Sequence, residues 1–186
     1  MNSHGVRTPE QVADRQELVE RARAGDHAAW DELYRSVHPK LLAYARRRLD
    51  AEPARDAVAE TMARAVARID RFRWSGGGFD AWLFGILRHV VLDVQRASGR
   101  RPTTQLTDRP SLEAGPLEHV LDDEEATALR DAFGRLAPAE RELLELRVVA
   151  GLSSEQVATA VGKRPGAVRM AQARALDKLR GLLLSA

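Results

Sequence analysis

A chain of 186 residues, 44% of them hydrophobic, is long enough for one medium domain or two small ones and lies well outside the composition of a disordered protein. Charged residues make up 30%, yet the formal net charge is only +2, so affinity for a polyanion has to come from local basic faces offset by acidic ones. The absence of cysteine excludes disulfides, thiolate metal sites and thiol redox sensing. No run approaches the roughly 20 apolar residues of a membrane span and the N-terminus has no signal core, so a cytoplasmic chain without membrane insertion is expected. The histidines His4, His27, His38, His89 and His119 show no metal-ligand spacing, and no nucleophile, base and orienting acid form a recognisable motif. Neither a metal, nor a cofactor, nor catalysis is therefore expected.

Residues 1–9 read as a loose tail, and Gln11 to Ala24 as a polar helix ending at Gly25, after which Asp26 caps the next segment. From Ala28 to Leu49 the residues Trp30, Leu33, Tyr34, Val37, Leu41, Leu42, Ala45 and Leu49 recur at threes and fours, which gives one buried face that Pro39 kinks or splits. That segment ends in Arg46, Arg47 and Arg48, which either complement the helix dipole or offer a basic surface. A third helix, about Ala54 to Phe72, turns Val58, Met62, Ala65, Val66, Ile69 and Phe72 inward. At about 100° per residue its opposite face carries Asp56, Glu60, Ala63, Arg64 and Ala67, small residues beside charges on which another helix could lie closely.

A loop follows, Arg73-Trp74-Ser75-Gly76-Gly77-Gly78, without the GxGxxG or GK[ST] pattern of a nucleotide cradle. Phe79 to Arg96 is a helix with Phe79, Leu83, Ile86, Leu87, Val90 and Val94 as its core stripe. Arg88, His89, Gln95 and Arg96 gather on another side, and Trp82 and Asp93 lie along the border. Basic groups for a backbone and a nearby aromatic for unstacked bases suit single-stranded nucleic acid. Periodicity then vanishes, and Gly99, Pro102, Pro110, Gly115 and Pro116 break any element. Residues 98–118 are expected to form a flexible linker between a domain over 10–97 and a second over 119–184.

Asp122, Asp123, Glu124 and Glu125 open a helix to about Arg135, where acids complement the helix N-terminus. Pro138 starts another, with Leu143, Leu144, Leu146 and Val149 apolar and Gly151 ending it. Ser153 with Gln156 is a capping-box spacing, Gly162 closes a short helix and Pro165 opens a long one whose stripe is Val168, Ala171, Ala175, Leu179 and Leu182. This is helix-turn-helix grammar. From Lys163 to Arg180 six basic residues stand against Asp177 alone, so a phosphate backbone is the natural partner.

The order of these motifs resembles a bacterial extracytoplasmic-function (ECF, group IV) sigma factor of the sigma-70 family, over about Asp26 to Arg180. WDELY at 30–34, DAVAET at 56–61, Ile69-Asp70-Arg71-Phe72 and FDAWLFGILRHVVLDVQR at 79–96 look like the family's sigma-2 regions. LAPAERELLELRVVAGLSSEQVATAVGKRPGAVR at 136–169 looks like sigma-4. The resemblance implies an all-α protein of a sigma-2-like domain and a sigma-4-like helix-turn-helix domain that binds core RNA polymerase, directs it to promoters and helps melt them. Asp56, Glu60, Thr61 and Arg64 would meet the β′ clamp helices of the polymerase, whose β flap is a further expected contact. Arg73, Trp74 and Ser75 would capture a flipped non-template base, and Arg88, His89, Asp93 and Arg96 would read the minus-ten element. Lys163, Arg164, Ala167, Arg169, Met170 and Arg174 would contact the minus-thirty-five element, Arg169 and Arg174 at phosphates or guanine edges, Ala167 and Met170 at thymine methyls. An anti-sigma protein is a further partner that the resemblance implies. His89 stands where the family often has asparagine, and Met170-Ala171 replaces the commoner Ser-Arg pair, so the promoter preference does not carry over.

Two other readings use the same residues. A repressor or activator would employ the helix-turn-helix without polymerase, yet no helix is left over for the dimerisation that such proteins need. An adaptor would retain the protein contacts with lapsed DNA surfaces. A nuclease would need a metal-binding acidic cluster, and the acids at 122–125 sit at a helix start instead. No long extra domain is expected beyond Arg180.

Overall fold

The computed structural model describes residues 9–99 and 123–185; residues 1–8 of the expected tail, nearly all of the expected linker and Asp122 lie outside the described residues, while Pro9 begins the first helix. The described residues form eight α-helices and one 3-10 turn. They are α1 (Pro9–Arg23), α2 (His27–Arg46), α3 (Ala51–Arg68), the turn Ile69–Arg71, α4 (Gly78–Ala97), α5 (Asp123–Gly134), α6 (Pro138–Val148), α7 (Ser154–Val161) and α8 (Pro165–Leu184). The fold class is all-α, as the periodicity and the resemblance both required.

The capping residues act as their chemistry dictates. The Asp26 carboxylate accepts from the amides of Ala28 (2.9 Å) and Ala29 (3.2 Å), and Arg21 donates to it at 2.9 Å. The bond from Arg21, reinforced by the two amides, holds the carboxyl below the ordinary aspartate range. Pro39 neither breaks nor splits α2, which runs unbroken from His27 to Arg46. Pro39 lacks the N–H that would bond the Arg35 carbonyl, and both residues are exposed, so the lost bond falls on the solvent side of the helix.

Helices α2, α3 and α4 enclose the first core, with Leu33, Val37, Leu41 and Tyr44 meeting Ala54, Val58 and Ala65 and then Phe79, Leu83 and Leu87. A buried ion pair fastens α1 to this core: Arg15 donates to Asp80 at 2.7 Å and to Ser36 at 2.6 Å. Two residues expected inward are exposed. Val66 (52% exposed) sits 100° beyond Ala65, and Val58, Met62, Ala65 and Ile69 complete the stripe without it. Tyr34 lies against the His38 ring at 4.8 Å instead of entering the core.

In the second half α8 packs across α5, α6 and α7, burying Ala175 with Leu136 and Leu144. The capping box forms as spelled: Gln156 N–H donates to Ser153 Oγ (3.2 Å) and Ser153 N–H to Gln156 Oε1 (2.8 Å). Gly162 takes the left-handed conformation (φ 68°) that ends α7, which a side chain would resist. The halves expected to be separate share a core. Leu143, Leu146, Leu152, Val157 and Val168 join the same apolar cluster as Leu83 and Leu87, and α4 lies directly along α7.

Candidate nucleic-acid and polymerase interfaces

The outer face of α3 carries Asp56 and Glu60 exposed beside Ala63 and Ala67, with Arg64 half-buried between. Arg64 donates to Glu60 at 2.7 Å and reaches Asp93 of α4 at 4.0 Å, so its guanidinium lies between the two acids. Thr61 does not belong to this face. It is 0% exposed and its hydroxyl donates to the Ala57 carbonyl at 2.7 Å, because it follows Ala57 by one turn on the buried side. The exposed Val66 adds an apolar element that the helical count assigned inward.

The loop before α4 is built on aromatics. Trp74 is half-buried, edge-on to Phe72 at 5.1 Å, and Phe72 in turn packs on Phe79 (5.5 Å) and Trp82 (5.2 Å). Trp82 is thus a brace within the cluster. Arg73 donates to the carbonyls of Asp70 (2.6 Å) and Phe72 (2.9 Å), and the Ser75 carbonyl accepts from Gly78 at 2.9 Å, which fixes the turn with the Ser75 side chain exposed. Gly77 is required by close approach: a Cβ there would lie 2.6 Å from the Thr159 Cβ of α7 and 2.7 Å from that of Ala81.

Along α4, His89, Asp93 and Arg96 are exposed on one side. Asp93 accepts from Arg96 at 3.3 Å, and His89 Nδ1 lies 2.7 Å from the Gly85 carbonyl. Arg88 points elsewhere. Its Nε donates to Glu142 Oε1 at 2.8 Å and its Nη2 to Oε2 at 3.4 Å, across to α6. Burial works against the charge on Arg88, but the Glu142 carboxylate more than offsets it and raises the pKa. Gln95, grouped with these polar residues by the sequence, is instead buried and donates to the Arg48 carbonyl at 3.4 Å. The structure therefore joins His89, Asp93 and Arg96 on one surface and separates Arg88 from them.

On α8 and the turn before it, Lys163, Arg164, Ala167, Arg169, Met170 and Arg174 are all exposed, Met170 at 65%. Val168 is the buried pivot that sets this face outward. Lys163, Arg164 and Arg169 have no ion-pair partner among the described residues, which leaves their charge available to phosphate.

One constellation escaped the sequence. Glu142 and Glu145, one turn apart on α6, face the first half. Glu142 accepts from the Tyr44 hydroxyl at 3.0 Å as well as from Arg88, while Glu145, 1% exposed, accepts from Arg47 at 3.2 Å and pairs with Arg48. Burial pushes the Tyr44 phenol above its ordinary range; Arg48 opposes this and Glu142 adds to it, so the hydroxyl stays a donor. The available signal was the pair of carboxylates interrupting the leucines of ELLEL at 142–146, opposite the arginine run 46–48.

Comparison with known proteins adds the following. The model described as Sigma-70 region 2 matches residues 33–101 and that described as Sigma-70, region 4 matches 126–179. The chain is 37% identical over 177 residues to the ECF RNA polymerase sigma factor ShbA of Streptomyces griseus, covering 89% of this chain and 93% of that protein. It is 36% identical to the ECF RNA polymerase sigma factor SigD of Mycobacterium tuberculosis, covering 91% and 84%. Among solved structures, CnrH in complex with the cytosolic domain of CnrY matches with a TM-score of 0.67 at 26% identity, over 93% of this chain and 98% of that one. The sigma factor RpoE of Bartonella quintana, in complex with the anti-sigma factor NepR, matches with a TM-score of 0.59 at 28% identity, over 82% and 95%.

Proposed function

The chain belongs to the extracytoplasmic-function sigma factors of the sigma-70 family, and from that membership we propose how its surfaces divide the work of promoter-specific initiation. A sigma factor binds core RNA polymerase and directs it to promoters. The observation that carries the assignment is the presence of regions 2 and 4, in that order, in relatives that align along nearly the whole chain. RNA synthesis itself belongs to the polymerase, so the chain acts in the cytoplasm by binding energy, without a reaction, metal or cofactor of its own. Among the described residues no helix is long and apolar enough to cross a membrane.

In this reading residues 10–97 form the unit that meets the β′ clamp helices through Asp56, Glu60 and Arg64 and handles the minus-ten element, and 98–118 connect it to the unit over 119–184. Arg73, Trp74 and Ser75 receive an unstacked base, and His89, Asp93, Arg96 and, once released from Glu142, Arg88 line the strand. Lys163, Arg164, Ala167, Arg169, Met170 and Arg174 lie on the minus-thirty-five duplex, supported by their joint exposure and positive charge, while the same half meets the β flap. CnrH and RpoE are each bound to a further protein, called an anti-sigma factor for NepR; a protein of that kind is the partner we assign here.

The test is reconstitution. Core polymerase mixed with the purified chain should give a discrete run-off transcript from the promoter upstream of the chain's own coding region, and core alone should not. Failure to co-purify with core polymerase would overturn the assignment.

A further inference from the structure

Arg15, Val19 and Ala22 form the buried stripe of α1, an otherwise polar helix, and Arg23 borders it. Arg15 and Arg23 reach the two ends of the loop that carries Trp74. At its entry, Arg23 Nη2 donates to the Phe72 carbonyl at 3.1 Å and to that of Ile69 at 3.4 Å, while its Nη1 donates to both oxygens of Glu20 at 2.7 Å. Arg73 donates to the same Phe72 carbonyl at 2.9 Å. These carbonyls lie at the end of the 3-10 turn after α3, where backbone acceptors outnumber helical donors and attract cations. At the exit, Arg15 pairs at 2.7 Å with Asp80 in the first turn of α4, both side chains being buried, and its guanidinium lies 6.0 Å from the centre of the Phe79 ring. Both arginines precede residues 33–101, the stretch matched by region 2.

We propose that α1 is the brace of this loop: Arg23 fixes its entry through the Ile69 and Phe72 carbonyls, Arg15 fixes its exit through Asp80, and both are positioning residues for the capture of a base by Trp74. The proposal rests on the reading of Trp74 as the residue that receives the base. Between the two anchors stand Gly76, Gly77 and Gly78, which have the most conformational freedom to lose when a base is bound. Holding both ends removes much of that freedom beforehand, so less binding energy is spent on ordering the loop. The link from Arg23 to the indole is short. A backbone carbonyl that accepts from two guanidinium groups fixes the peptide between Phe72 and Arg73, and with it the direction of the Phe72 ring, against which Trp74 packs at 5.1 Å. Arg23 touches neither the indole nor the surface offered to DNA, so its effect on a base passes through Phe72.

Substituting Arg15 would leave Asp80 buried without its partner and mix stability with position, so the test uses Arg23. Arg23→Met keeps the aliphatic stem and removes every donor. In the full chain bound to core polymerase, on the promoter upstream of its coding region, it should lower open-complex formation about three- to tenfold by permanganate reactivity and leave the closed-complex footprint unchanged. Combined with Trp74→Ala it should lose no more than Trp74→Ala alone, because a brace adds nothing once the braced ring is gone. Arg23→Lys keeps the stem, the charge and a donor for one carbonyl. It should lose less than Arg23→Met and show the same non-additivity, and it decides the question if Arg23→Met does not fold. Losses that multiply in the double variant, or equal losses of closed and open complexes, overturn the proposal. Acrylamide quenching supplies an arm without polymerase: the emission owed to Trp74, taken as the difference from Trp74→Phe, should be more strongly quenched in Arg23→Met, and equal quenching also overturns the brace. A wild-type chain silent with core polymerase refutes the functional assignment alone, and the bracing of the loop is then decided by the quenching arm.

Discussion

Trp74 stands half-buried on the loop that leads into α4. The indole does not project from a flexible glycine loop; it leans edge-on against Phe72, within a cluster that continues through Phe79 and Trp82 to Trp30. That packing leaves part of the ring exposed and fixes its plane, which lowers the entropy cost of stacking a base on it. Melting a promoter costs a few kcal/mol per unstacked step, and a base on an aromatic face returns about 1–3 kcal/mol. Trp74→Ala should therefore depress open-complex formation by roughly five- to a hundredfold while changing closed-complex binding little, as read by permanganate reactivity of the melted strand against footprinting of the duplex. Equal losses in the two assays would make Trp74 a structural residue of the cluster. Thr61 shows the opposite error. Its place in the motif at 56–61 suggested a surface role, whereas a hydroxyl that bonds the carbonyl one turn back is satisfied locally and is comfortable inside.

At the scale of elements most of the chain could be read, because caps and periodicity are local. Ser153 with Gln156, Gly162 and Pro165 delimit α7 and α8 from within their own sequence, and Asp26 does the same for α2. The failures occur where a neighbouring element decides: Gln95 looks polar and outward until Arg48 supplies a carbonyl, and Arg88 looks like part of the His89 face until Glu142 draws it aside. On α8 no other helix intervenes, and the expected face is wholly exposed. There the arginines and Met170 should act in separable ways. Arg174→Ala should weaken binding to the minus-thirty-five duplex for every sequence tested and reduce the salt slope by about 1, the signature of one lost phosphate contact. Met170→Ala should leave the slope unchanged and alter only the preference for thymine at one position. An unchanged affinity and slope for Arg174→Ala would remove it from the interface.

For the whole molecule, the expected picture of two small domains on a tether captures the connectivity and omits the seam, which depends on residues about a hundred positions apart such as Tyr44 and Glu142. No local pattern announces a contact of that range, although complementary charge on α2 and α6 hinted at it. The seam has an energetic centre in Glu145. Its carboxylate is 1% exposed and serves both Arg47 and Arg48, the latter also lying over the Tyr44 ring at 3.8 Å. Removing one member of such a pair leaves a buried charge without a counterpart, which costs about 3–5 kcal/mol, more than the pair itself contributes. Glu145→Ala should thus detach the halves without unfolding either, since Leu33, Val37 and Phe79 on one side and Leu136, Leu144 and Ala175 on the other are not touched by the change. The wild-type chain should melt in one calorimetric transition because its halves share a core, and Glu145→Ala should split that into two, with the less stable half melting at lower temperature. A single transition merely displaced downwards would mean that the buried pair serves the stability of a one-piece fold.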